Sequence, residues 1–60
     1  MNGVTNELIE LQTICLSFGE SLIDNDGHYK KVFYALETLS RVWERADEKT
    51  QKMILKLMGF

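Results

Sequence analysis

The chain has no proline, a single cysteine and a single histidine. One cysteine cannot form a disulfide within the chain, and without a cysteine cluster or a histidine pair the usual zinc ligand sets are missing. No stretch approaches the roughly 18–20 consecutive apolar residues that span a bilayer. The first residues, Met1–Val4, lack the basic region of a secretory signal peptide. These absences predict a protein of the reducing cytoplasm, without cofactor, metal or membrane span.

The chain is 60 residues long, with 27 % charged and 45 % hydrophobic residues, which indicates one small globular domain. This size excludes a two-domain enzyme, a Rossmann-type cofactor domain and a repeat array. A domain of about 60 residues buries only about 60 % of its unfolded surface, so many such domains need a disulfide, a metal or another subunit. Because neither a disulfide nor a metal is expected here, the small size favours self-association.

One turn signal divides the chain. The segment Asp24–Gly27 combines two aspartates, an asparagine and a glycine, residues that favour tight turns. A calcium loop with Gly27 at its sixth position would require oxygen ligands at Leu22 and Phe33, and both are apolar. The segment is therefore interpreted as a turn between helices.

The apolar pattern before the turn predicts a helix over residues 6–23. Its apolar residues recur at intervals of four and three, which places them on one helix face: Val4, Leu8, Leu11, Cys15, Phe18 and Leu22. Thr5 is the predicted N-cap, and Val4 and Ile9 are spaced to form a hydrophobic staple. Gly19 falls inside this helix at a cost of about 1 kcal/mol relative to alanine.

The same pattern after the turn predicts a second helix over residues 28–46, with Asn25 or Asp26 as its cap. Its apolar face consists of Tyr29, Val32, Leu36, Leu39, Trp43 and Ala46. The apolar intervals of three and four residues then continue unbroken to Phe60, which favours one long helix over 28–58. Asp47 followed by an acidic first turn instead favours a new helix over 48–58, ended by Gly59.

The predicted fold is all-α: an antiparallel helical hairpin with a short third C-terminal helix. The alternative is a two-helix hairpin with a long second helix, dimerising into a four-helix bundle. In outline, two equal helices joined by a tight turn resemble the Rop-type helical hairpin, and this resemblance implies a dimer. It rests on length and pattern, so it implies no RNA-binding role.

Enzymatic chemistry has little support in the sequence. Cys15 lies on the apolar face between Ile14 and Leu16, which favours a core position over a reactive thiol. His28 lies beside the turn and is interpreted as a surface residue at the start of a helix. No glycine-rich phosphate loop or nucleophile elbow is present. We therefore expect a protein that is not an enzyme.

Charge is divided unevenly along the chain. Residues 1–27 carry five acidic residues and no lysine or arginine, whereas residues 28–60 carry all seven basic residues and four acidic ones. A nucleic-acid-binding helical dimer is therefore one hypothesis, with Lys30, Lys31, Arg41 and Arg45 as its contacts. The isoelectric point near 5.2 and the acids among these residues argue against strong phosphate binding.

The chain has more large apolar side chains than the interface between two helices can bury. Aromatic residues and methionines anchor many protein interfaces. The predicted protein-binding residues are Trp43, Met53, Leu55, Met58 and Phe60. The favoured function is a small regulator or inhibitor that forms a homodimer and occludes a surface of a larger, unidentified protein. A third hypothesis is a structural subunit of a larger assembly.

Overall fold

A computed structural model describes residues 5–60, and this part of the chain is all-helical. It contains α1 (Asn6–Ser17), α2 (Val32–Arg45) and α3 (Glu48–Leu57). The predicted third helix is confirmed, while the hairpin arrangement and the dimer remain predictions. The staple between Val4 and Ile9 lies outside the described residues. Among α1, α2 and α3, no helix is long and apolar enough to cross a membrane.

Helix α1 begins as predicted and ends six residues earlier than predicted. Thr5 is the N-cap, and its Oγ1 accepts a 3.2 Å hydrogen bond from the Leu8 N–H. At the other end Gly19 takes a φ of 77°, a left-handed conformation that glycine adopts without steric cost. The Glu20 N–H donates to the Cys15 carbonyl, and the Gly19 N–H donates to the Leu16 carbonyl. These two hydrogen bonds form a Schellman motif. Gly19 therefore ends the helix and does not lie within it.

The segment between α1 and α2 holds the predicted turn in an extended loop. Gly27 has a φ of 84°, and Asp24 Oδ1 accepts from the N–H groups of Asp26 and His28 at 2.9 and 3.0 Å. These two hydrogen bonds lower the pKa of the Asp24 carboxyl, and the bond from His28 has the larger effect. The chain pairs back on itself, since Asp24 N donates to His28 O and Lys30 N donates to Leu22 O.

This pairing corrects the predicted start of the second helix. Residues 28–30 are engaged in backbone bonds with the preceding strand-like segment, so α2 begins at Val32 rather than near residue 28. Its N-cap is Lys31, which makes no side-chain capping bond, and neither Asn25 nor Asp26 caps it. The correction also means that residues 18–31 connect α1 and α2, so the tight turn between two helices, on which the Rop-type resemblance is partly based, is not their whole connection.

A two-residue break separates α2 from α3. Ala46 is extended, and Asp47 caps α3 by accepting a 2.8 Å hydrogen bond from the Thr50 N–H. The alternative of one continuous helix over 28–58 is therefore wrong. The last turn of α3 closes like that of α1: Gly59 has a φ of 92°, and Phe60 N bonds to Leu55 O.

One apolar core joins the helices and the loop. Its buried side chains come from every described element: Leu11, Cys15, Leu22, Leu39, Val42 and Ile54. Thr38 is also buried, and its hydroxyl donates to Tyr34 O and accepts from Lys30 Nζ. Helix α1 contacts both α2 and α3, so the core lies against α1. No element within residues 5–60 covers the outer sides of α2 and α3.

Candidate protein-binding surface

An open apolar groove of about 320 Å³ lies between α2 and α3. Its floor is formed by Leu39 and Ile54, which are 8 % and 1 % exposed. Its walls are more exposed, with Leu36 at 48 %, Leu55 at 40 % and Met58 at 36 %. Trp43 and Ser40 complete the lining. Apolar walls above a packed floor form a surface that another protein could cover.

The break at Ala46–Asp47 creates this groove. It lets α3 fold back beside α2, and near the break Gln51 Nε2 donates a 2.8 Å hydrogen bond to Trp43 O. Helix α3 has 10 residues and α2 has 14, so α3 cannot cover the whole length of its neighbour. The N-terminal part of α2 consequently stays open, with Val32 at 75 % and Phe33 at 68 % exposure.

A second, shallower depression continues the groove along α2. It is lined by Phe33, Leu36, Glu37, Ser40 and Arg41. Leu36 and Ser40 line both depressions, so the two form one continuous surface. We call it the α2–α3 face and define it by its apolar and small residues: Phe33, Leu36, Ser40, Trp43, Leu55 and Met58.

The five residues predicted to bind protein do not all share this face. Trp43, Leu55 and Met58 line it together. Met53 lies elsewhere on α3, in a depression shared with Glu7, Glu10, Lys56 and Leu57. Phe60 follows the end of α3 and is 86 % exposed, outside the groove lining. Spacing alone does not separate these positions, because α3 carries apolar residues on nearly every side.

Leu36 is the member of this surface that the sequence does not single out. Its position in the apolar seam of the second helix predicts that another helix covers it, whereas Phe33 counts among the large apolar residues that a two-helix seam cannot bury. In the structure Leu36 is half exposed and Phe33 is mostly exposed, with its ring edge-on to Tyr34 at 5.6 Å. The available signal was that α2 has more apolar positions than one short neighbour can bury.

Three of the four basic residues proposed to bind nucleic acid contact other segments of the same chain. Arg41 Nη2 lies 3.2 Å from Glu20 Oε1, and this hydrogen-bonded pairing raises the pKa of the guanidinium. Arg45 Nη1 donates to Phe18 O at 2.9 Å, and its guanidinium lies 5.6 Å from the Phe18 ring centre. Lys30 Nζ donates to the buried Thr38 hydroxyl at 3.2 Å.

These contacts attach the loop after α1 to the side of α2. Their role is structural, because each cation is directed at a neighbouring segment of the same chain. Lys31 is exposed at the N-cap of α2. The lysines of α3 are also exposed: Lys49, Lys52 and Lys56. The four residues named from the sequence are therefore not brought together as one free basic surface.

Cys15 and His28, the residues weighed for reactive chemistry, lie in different environments. Cys15 is fully buried, and burial, with a smaller contribution from Glu20, raises the pKa of its thiol. His28 is exposed in the loop, where its backbone pairs with Asp24. Among residues 5–60, no three His, Cys, Asp or Glu side chains are grouped closely enough to hold a metal ion.

Comparison with known proteins finds no matching family model, no similar curated protein and no similar solved structure. The functional argument is therefore built on the chain's own surfaces.

Proposed function

We propose that this chain is a small, non-enzymatic protein-binding regulator that self-associates and acts by occluding a surface of a larger partner. The observation that carries the proposal is the open apolar groove between α2 and α3. Trp43, Leu55 and Met58 line it together. Tryptophan is a frequent interface anchor, methionine adapts its shape to a partner, and Leu55 adds apolar area. The action would be steric, since the groove has no reactive group in its lining.

Energetics support an occupied groove. Burying an apolar side chain contributes about 25 cal/mol per Å² removed from water. Leu36, Leu55 and Met58 each leave between a third and a half of their surface exposed. A chain this small has little apolar area to spare, so leaving these walls in water forgoes stabilisation that a partner could supply.

The nucleic-acid alternative has weaker support. Arg41 and Arg45 already contact Glu20 and the Phe18 carbonyl, so binding phosphate through them would compete with contacts that hold the loop. Glu37 and Glu44 lie on the same helix and would repel phosphate. Reversing the exposed Lys31 to glutamate should leave protein binding intact, whereas it should weaken binding if nucleic acid is the ligand; Lys30 is kept because it contacts the buried Thr38.

Photo-crosslinking tests the proposal in cells that naturally produce the protein. A photoreactive residue at position 55 lies in the groove, and the same residue at the exposed position 49 is the matched control on α3. We expect adducts from position 55 that are lost when Leu36→Asp is added. Equal adducts from both positions, or adducts indifferent to Leu36→Asp, would contradict the proposal.

Solution mass tests self-association separately. Light scattering over a wide concentration range should give a mass of twice 7.0 kDa for the wild type. A constant 7.0 kDa would contradict the self-association and leave partner binding to be judged by the crosslinks. Aggregation or disorder of the isolated chain would instead support the structural-subunit hypothesis.

A further inference from the structure

We draw no further inference here: the strongest candidate, the open apolar groove between α2 and α3, carries nothing beyond the proposed function because nothing in the structure shows what covers it.

Discussion

The side-chain amide of Gln51 donates a 2.8 Å hydrogen bond to the backbone carbonyl of Trp43. The same carbonyl accepts from the Ala46 N–H at 3.3 Å, so it serves both the end of α2 and the start of α3. This contact ties the two walls of the groove together beside their connection. The shape of the apolar surface therefore depends on a polar side chain that is itself only partly exposed.

Removing this tie should weaken the fold. Gln51→Ala loses one side-chain hydrogen bond and is expected to cost about 1 kcal/mol, which lowers the melting temperature by roughly 4–8 °C in a domain of this size. Thermal unfolding followed by circular dichroism measures the change. The neighbouring Lys52→Ala is the control, with an expected change within about 0.5 kcal/mol. Equal effects of the two variants would contradict the role given to Gln51.

The stability of the protein should depend on the chirality of the residue at position 19 and not on its size. The Gly19 φ of 77° disfavours any L-residue, although a Cβ added there would meet no atom within 4 Å. Gly19→Ala is expected to destabilise the protein by about 1 kcal/mol, because an L-alanine must adopt the left-handed conformation. A chain of 60 residues is accessible to chemical synthesis, so D-alanine at the same position provides the control. D-alanine should retain the stability of glycine, and a loss as large as that of L-alanine would show that the backbone conformation is not the cause.

Acid should remove the contribution of the α3 cap. Hydrogen bonds from Thr50 lower the pKa of Asp47 in the folded protein, and the side chain of Thr50 contributes more than its N–H. A lowered folded-state pKa gives stability that is present above the unfolded pKa of about 3.9 and is lost as pH falls through the folded value. Asp47→Asn keeps a capping oxygen without this titration. We expect the stability difference between the wild type and Asp47→Asn to change across this pH window, as measured by urea unfolding between pH 6 and about pH 2.5. Parallel curves for the two proteins would contradict the assignment.

The buried thiol should report unfolding. Cys15 is fully buried and its pKa is raised by desolvation, so alkylation of the folded protein should be slow and should require opening of the core. Its rate should rise with urea in step with loss of helical signal. Cys15→Ser should cost about 1–3 kcal/mol by burying a more polar hydroxyl, whereas Ser17→Cys at the exposed end of α1 should react at once in a Cys15→Ala background. Rapid alkylation of wild-type Cys15 in native buffer would show that the core opens without unfolding.

The sequence predicted caps and turns correctly where the interacting groups are only a few residues apart along the chain. Thr5 and Asp47 cap their helices through N–H groups three residues ahead, and the Asp24–Gly27 turn binds its own backbone. The end of α1 was predicted wrongly because the apolar interval of three and four runs on to Leu22. That residue is buried, but by a loop that folds back on the core and not by a continuing helix.

The candidate site was predictable in content and not in arrangement. An excess of apolar residues around Trp43, Leu55 and Met58 could be counted from the sequence. Which of them share a groove depends on the direction in which α3 leaves the break at residues 46–47. The roles of Arg41 and Arg45 were hidden for the same reason, since their partners Glu20 and Phe18 lie 21 and 27 residues away along the chain.

The sequence by itself determined the all-helical class, the start of α1 and the turn, because caps and turns are satisfied by neighbours only a few residues distant. It offered a start of α3 at Asp47 as one of two alternatives, and the structure decided between them. Only the tertiary structure decided where α1 stops, where α2 begins and which apolar side chains stay exposed. Those features follow from contacts between distant segments. Helix α1 covers one side of the core, the loop occupies the place of a longer helix, and the short α3 leaves apolar side chains on the outer side of α2 exposed.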